Sequence, residues 1–494
     1  MPTDPMILAI DQGTTNTKAI LVDRAGAVRG MASRPVDIEF PRPAWVQQDA
    51  RCIWQSVREA VDECLEAAGS PPLAAVGVSN QRESGLAWDA VSGEPVGPVV
   101  TWQCRRSAGF CEQLRSEGLE DEVRARTGLP IDPMFTGSKI RWLLDDTPDG
   151  HARAASGEIR VGTVDSWLLW CLTAGAEHRT DVSNASRTQL LNNSEVPWDV
   201  QLMDRYGVPE AALPEILPSS GIFGETVALG ALPAGVPIGS LVGDSHAALF
   251  GHAGFAAGSV KATYGTGSSL MSPTAQRVDS DRGLASTIAW GLGSTVYALE
   301  GNIYVTGAAV QWMADFVGLD GPGKVAELAE SVPDTEGVYL VPAFVGLGAP
   351  HWDDSARGML TGLTRSSSLA QASRAVIESI AYQVRDVFDE MQSATGGALR
   401  VLMADGGVTR NAQLMQFQAD ILGVPVQRNN TPELSAMGAA YLAGLAVGVW
   451  SSTDDIEALP RSIDRFEPRI EATERERLYA GWKEAVARTM YRPA

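Results

Sequence analysis

Asp11 closes a short apolar run and is followed by Gln12-Gly13-Thr14-Thr15-Asn16-Thr17-Lys18. An acid at a strand end suits a magnesium ion held through water. The glycine lets the backbone approach an anion closely. Successive N–H groups in a turn make an anion-binding concavity, and the hydroxyls and Lys18 add donors and a positive charge. Gly265-Thr266-Gly267, inside Thr263–Ser269, has the same character in the second half of the chain. Either turn alone reads equally well as a plain hairpin bend. Two of them at matching places point to a nucleotide whose phosphates lie between them. Neither fits the GxxxxGK[ST] spacing, and no protein-kinase catalytic set is present.

Three further segments carry chemistry. In Gly243–Gly251, Asp244 follows an apolar stretch and opens an Ala-rich helix. It reads as an ordinary helix cap or as the one group phosphoryl transfer needs to accept a hydroxyl proton. Arg82 and Glu83 stand side by side after an apolar run. A donor fork beside an acceptor suits a polyol, whose hydroxyls need both, although a surface ion pair is the plainer reading. Trp102 offers an aromatic face for the carbon edge of a polyol, or a core ring. Gly406-Gly407, with Asn411 beyond, ends an apolar strand and opens a helix. It reads as a seat for a flat adenosine or as a bare strand-to-helix turn.

These segments need elements to hold them. Met6–Ile10 and Lys18–Val22 are expected as strands about the first turn, with another turn at Arg24–Gly26. Ile53, Trp54, Val57, Val61, Cys64, Leu65 and Ala68 recur at helical spacing, and a strand over Leu73–Val78 runs into Asn80–Ser84. The second half repeats the plan: strands Ser259–Tyr264 and Ser268–Met271, a helix Leu369–Met391, a strand Leu399–Met403, and helices near Asn411–Leu422 and Ala436–Val447. A surface helix is expected over Glu471–Met490. The reading is a duplicated α/β domain, residues 1–250 and 251–494, with ligands beyond the carboxyl ends of the strands.

Taken together these segments resemble the FGGY carbohydrate kinases, most of all the members that phosphorylate glycerol. The resemblance is carried in order along nearly the whole chain by ILAIDQGTTNTKA, WVQQD, SNQRES, TWQCRR, GLPIDPMFTGSKIRWLL, GTVDSWLLW, TDVSNASRT, GDSHAALFG, TYGTGS, VYLVPAFVGLGAPHWDDSARG, DGGVTRNAQLMQFQADILG and MGAAYLAGLAVG. MFTGSKIRWL fits one family signature fully, and GMLTGLTRSSSLAQASRAVIES fits the other except at Ala372.

The resemblance implies two RNase H-like domains of the actin/hexokinase type around a mobile cleft, with ATP and Mg2+ as cofactors and a small polyol as substrate. It assigns Asp244 as catalytic base and Asp11 to magnesium. Thr14, Thr15, Asn16 and Lys18 match the first phosphate loop and Thr266 the second. Gly307, Gln311, Gly407 and Asn411 match the nucleotide seat, and Arg82, Glu83, Trp102 and Asp244 the polyol site. Homodimers or homotetramers are usual in such kinases, though no segment here requires either.

The pocket departs from the family pattern at Met134, Ser245 and Ser269, where Tyr, Gln and Phe are usual. Each change removes bulk or reach, and a loosely held three-carbon substrate loses rate. His246 stands next to Ser245 and is expected to refill part of the space. The alternative is a four- or five-carbon polyol or ketose, of the erythritol, threitol or xylulose type. An alternative of another class is a non-catalytic actin-like nucleotide-binding protein. Leu229–Gly239 matches the loop that carries feedback control by a sugar bisphosphate in bacterial members, but holds no Arg or Lys, so that control is not expected.

Composition narrows the rest. The 494 residues exceed one compact core. A net charge of −21 disfavours nucleic acid and anionic membranes as partners. No apolar run approaches membrane-spanning length, and MPTDPMILAIDQG lacks a signal-peptide pattern, so a cytoplasmic location is expected. Five cysteines without a CxxC pair predict neither a disulfide framework nor a zinc site.

Overall fold

In the computed structural model, which describes residues 5–280 and 283–492, Met6–Gln12 form β1 and Asn16–Val22 form β2 around the first turn. The first four residues of the N-terminal stretch read above lie outside the described residues. β1 is apolar without alternation because both its faces are covered. Leu8 and Ile10 join a core under the helix α1 (Ala50–Ala67), while Ile7 and Ala9 join a second core on the other face. The side chain of Asp49 caps α1 by accepting from Arg51 N.

The first sheet adds β3 (Val28–Pro35), β4 (Leu73–Asn80), β5 (Ser220–Glu225) and β6 (Pro237–Gly243), in the order β5-β6-β4-β1-β2-β3. β1, β4 and β6 run parallel, and β2, β3 and β5 are antiparallel to their neighbours. The second sheet comprises β7 (Ser259–Tyr264), β8 (Ser268–Thr274), β9 (Ala285–Leu292), β10 (Ser294–Ile303), β11 (Val401–Asp405), β12 (Val426–Asn429) and β13 (Ile463–Phe466), in the order β9-β10-β8-β7-β11-β12-β13. β7, β11 and β12 are parallel there, while β8, β10 and β13 are antiparallel to their neighbours. Apart from the extra edge strand β9, the second sheet repeats the spatial order and strand directions of the first, with one difference in connection: the edge strand β5 precedes β6 in the chain, whereas the edge strand β13 follows β12. The expected duplication is therefore present in three dimensions.

Helices follow the same plan. α2 (Thr136–Asp146) packs near β4's polar end, and α3 (Asp244–Gly251) continues directly from β6. α4 (Gly307–Val317) follows β10. α5 (Leu369–Thr395) is opened by a Ser368/Gln371 capping box and supplies much of the second domain's core. α6 (Ala412–Leu422) follows β11, and α8 (Ala472–Met490) closes the chain. α7 (Leu434–Ala446) belongs to the second half by sequence but packs on the first sheet and on α3. A side chain at Gly438 would overlap the carbonyl of Ala247, and one at Gly77 would overlap that of Ala439. The two units therefore share a core of Ile7, Val242, Phe250, Met271, Met403 and Ala440 among others. Among the described residues no helix is long and apolar enough to cross a membrane.

Candidate active site

β4 and β6 deliver their polar ends to the same place. β4 continues into Gln81-Arg82-Glu83, and β6 into Asp244. Asp244 is the first residue of α3, and Gly243 occupies the cap position, so the expected cap role belongs to its neighbour. Asp244 Oδ1 accepts from Ser245 N at 2.6 Å and lies 3.2 Å from Arg82 Nε. No described residue bonds to its other oxygen, and the side chain remains 38% exposed at the floor of the cleft. Burial pushes the Asp244 carboxyl up from its ordinary value, and the Arg82 charge opposes this.

Arg82 is 6% exposed and crosses between the domains. Its two terminal nitrogens grip Glu300 of β10 at 3.1 and 2.6 Å, the bidentate fork a guanidinium offers a carboxylate. Arg187 completes the network. Its Nε donates to Glu83 at 2.6 Å, and its Nη1 lies 2.9 Å from Glu300. Glu300 is buried, which alone raises its pKa, but Arg187 and Arg82 outweigh burial and hold it well below the usual carboxylate range. Glu83 takes a φ of 60°, a strained value for a residue with a side chain. The buried ammonium of Lys139 fastens this bend by donating to the carbonyls of Glu83 and Met134. Desolvation lowers Lys139 to about 8 despite the nearby Glu83 charge.

Asp11 lies beside this floor. It pairs in register with Lys18 across β1 and β2 and accepts from Ser79 Oγ at 2.8 Å. Burial, with the Asp244 charge adding to it and the Ser79 hydrogen bond opposing, pushes Asp11 up to about 7. Lys18 Nζ bonds Glu433, just before α7, at 2.5 Å. Thr14 accepts from the indole N–H of Trp102 at 3.0 Å, so the aromatic wall and the first turn are fastened together. Thr15 and Asn16 are exposed at the tip of that turn.

On the other domain, Thr266 and Gly307 come together: the N–H groups of Thr306 and Ala308 donate to Thr266 O, and Gly307 N to Gly265 O. A side chain at Gly307 would strike the Gly265 carbonyl and Val408. Gly407 has open space where a side chain would be. Asn411 caps α6 by accepting from Leu414 N, and Gln311 bonds Asp315 on its own helix. Those two side chains thus have structural partners in addition to any ligand they meet.

Among the three departing positions, Met134 lines an interdomain pocket, Ser269 donates to Glu300 at 3.2 Å, and Ser245 is half-buried. His246 does not refill the space as expected. It is fully buried and bonds Thr287 Oγ1 at 3.2 Å, because the turn of α3 carries it into the packing beneath the cleft.

Glu300, Arg187 and Lys261 were not singled out from sequence. Lys261 sits in β7 with its Nζ buried and without a hydrogen-bond partner, and its charge acts on Asp244 and Asp405. The signal available was a charge inside an otherwise apolar strand, at Lys261 and at Glu300 alike.

The arrangement sets donors and acceptors side by side at Arg82 and Glu83, leaves one oxygen of Asp244 without a partner among the described residues, and faces them with two glycine-bearing turns. Known proteins resemble this chain along its whole length. The N-terminal domain of the FGGY family of carbohydrate kinases matches residues 6–251, and the C-terminal domain of that family matches residues 260–447. A glycerol kinase of Symbiobacterium thermophilum is 49% identical over 488 residues, 98% of each chain. Glycerol kinase 2 of Thermotoga maritima is 47% identical over 489 residues, again 98% of each chain. The crystal structure of Plasmodium falciparum glycerol kinase with ADP superposes with a TM-score of 0.95 at 30% identity, covering 99% of both chains. Matched in both domains and from end to end, this chain belongs to the FGGY family of carbohydrate kinases.

Proposed function

We propose that the chain transfers the γ-phosphoryl group of ATP to a terminal hydroxyl of glycerol, with Asp244 as the proton acceptor. The observation that carries this reading is the state of Asp244. One oxygen is fixed by Arg82 and Ser245 N, and the other is left facing the cleft without a partner among the described residues. A general base must be held yet free at one atom. Its raised affinity for protons suits the task.

Arg82 and Glu83 supply a donor and an acceptor for the remaining hydroxyls, and Trp102 walls the carbon chain. Both charged groups are held by Glu300 and Arg187, so little reorganisation is needed when the substrate arrives. The substrate hydroxyl oxygen forms the new bond to the γ-phosphorus, the bond to the bridging oxygen breaks, and ADP leaves with that electron pair. The hydroxyl proton goes to the free oxygen of Asp244. Thr14, Thr15, Asn16 and Lys18 receive phosphates from residues 1–250, and Thr266, Gly307, Gln311, Gly407 and Asn411 receive the nucleotide from residues 251–494.

Magnesium fits the donor set. Among the described residues no group of three or more His, Cys, Asp or Glu could cage a metal ion. Mg2+ does not need one, since it keeps several waters and takes one or two carboxylates plus phosphates. Asp11, raised by burial and by its neighbour Asp244, is the carboxylate such a charge would relieve. When bound, the ion neutralises charge on the phosphates.

The test is an ADP-release assay over glycerol and a panel of sugars. Glycerol-dependent ADP release with matching glycerol phosphate is expected. Release that does not depend on any added polyol or sugar overturns the reading.

A further inference from the structure

Beside the Arg82–Glu300–Arg187 network lies the interdomain pocket that Met134 lines. The first domain contributes Pro130, Met134, Phe135 and Arg187, and the second contributes Glu300, Asn302 and Trp352. Glu300 and Asn302 are two apart on β10 and so share one face of the strand. Ser269 of β8 is the register partner of Asn302 and donates to Glu300 at 3.2 Å. A chain of polar contacts therefore leads from Asp244 through Arg82 and Glu300 to Ser269, whose register partner is Asn302.

The pocket is polar at its inner end. Arg187 is 1% exposed, and its Nη1, although 2.9 Å from Glu300, has no aligned hydrogen-bond acceptor. The Asn302 side-chain amide makes no hydrogen bond to any described residue. A buried N–H without an acceptor and an amide free at both ends call for a ligand oxygen that both accepts and donates, which is what a hydroxyl does. Met134 and Phe135 supply apolar wall for the carbon beside it. Met134 is held by its own backbone, through Asp132 to its N–H and Lys139 to its carbonyl, so its flexible side chain is free to adapt.

We propose that this pocket is a subsite for the distal hydroxyl of a four-carbon alditol, so that the chain phosphorylates a tetritol as well as glycerol. This rests on the proposed function: the reacting hydroxyl still lies at Asp244 and the middle hydroxyls at Arg82 and Glu83. The fourth carbon passes Ser269, and its hydroxyl accepts from Arg187 and exchanges hydrogen bonds with Asn302. The phosphoryl transfer is unchanged. The hydroxyl oxygen at Asp244 bonds the γ-phosphorus, ADP departs with the bridging oxygen, and the proton moves to Asp244.

The experiment measures kcat/KM of the full chain with MgATP on glycerol, erythritol, D-threitol and L-threitol. At least one tetritol is expected within about tenfold of glycerol. Asn302→Leu is expected to lower that tetritol's kcat/KM at least about tenfold, the scale of one lost buried hydrogen bond, while glycerol changes less than about threefold. Met134→Tyr, which fills the pocket from the other wall, is expected to move the tetritol-to-glycerol ratio toward glycerol at least about tenfold.

If every tetritol falls further below glycerol than that in the unaltered chain, the subsite is wrong and the glycerol reading stands. If Asn302→Leu lowers both substrates alike, the subsite is likewise wrong. Should Asn302→Leu fail to fold, the Met134→Tyr ratio decides alone, and an unchanged ratio overturns the proposal. If neither glycerol nor any tetritol is turned over, the proposed function itself fails.

Discussion

Lys18 and Glu433, 415 positions apart in the chain, meet at 2.5 Å, so the first Gly/Thr turn is tied to the residue that precedes α7. The pair is partly exposed, at 32% and 21%, and a salt bridge of that kind contributes on the order of 1 kcal/mol or less to stability. Its weight falls on ligand binding. Glu433→Gln frees Lys18 and removes a negative charge near the phosphate position, so KM for MgATP is expected to fall about two- to fivefold. Lys18→Met is expected to raise it about tenfold. Initial rates against MgATP concentration check both, and a rise in KM for Glu433→Gln would mean that the carboxylate positions Lys18 for the nucleotide.

Asp244→Asn keeps the shape of the side chain and removes its basicity. Turnover is expected to fall about 100- to 10,000-fold, the range a single general base contributes. ADP binding and the circular dichroism spectrum are expected to stay as they are. A variant that keeps more than a tenth of the turnover would remove Asp244 from the role of base, a threshold of about 1.4 kcal/mol in barrier.

The pH dependence follows from the raised carboxyls. Asp11 is pushed up to about 7, and Asp244 is raised as well. Both must be ionised to work, so activity is expected to decline as pH falls through about 7. Saturating Mg2+ favours the ionised form of Asp11 and is expected to move that decline to lower pH. Lys261 acts in the same direction on Asp244, so Lys261→Met is expected to shift the acidic limb upward. Profiles of kcat/KM at low and high Mg2+ check this.

Raised and lowered carboxyls have opposite signs in stability. A folded-state value above the unfolded one means that ionisation costs stability, so the ligand-free fold loses stability at Asp11 as pH rises from 3.8 to about 7, and the full cost is present above that. Asp11→Asn is accordingly expected to raise the apparent Tm at pH 8 by about 2–4 °C without nucleotide and to lose the further rise that MgADP gives the unaltered chain. Glu300 is depressed instead, so its contribution is present above its unfolded value near 4.5 and is lost only in stronger acid. Glu300→Ala leaves Arg82 and Arg187 buried without their carboxylate and is expected to cost about 3–5 kcal/mol, read as a large fall in apparent Tm by differential scanning fluorimetry.

The paired turns, their flanking strands and the helices α1, α5, α6, α7 and α8 were legible in the sequence, because each carries a clear period or a Gly/Thr bend. β3 was not: it lies at the edge of its sheet, and VRGMASRP alternates exposed and half-buried positions with few apolar residues. The hairpin β9–β10 was also missed, although its inward positions are buried. Within the site, Asp244, Arg82 and Glu83 could be found because each ends an apolar run. That Arg82 is held by Glu300 and Glu83 by Arg187 could not, since those partners lie 218 and 104 positions away. Asn411 shows the reverse case, where a residue read as part of the nucleotide seat also has the ordinary duty of capping a helix.

The crossing of α3 over α7 has a mechanical meaning. Where Gly438 meets Ala247, backbone packs directly on backbone, with no room for a side chain between them. A contact without slack passes a displacement of one helix on to the other. Asp244, the proposed base, stands at one end of the first of these helices and Glu433, the partner of Lys18, precedes the other, so a displacement there reaches the proposed proton acceptor and the first turn at once.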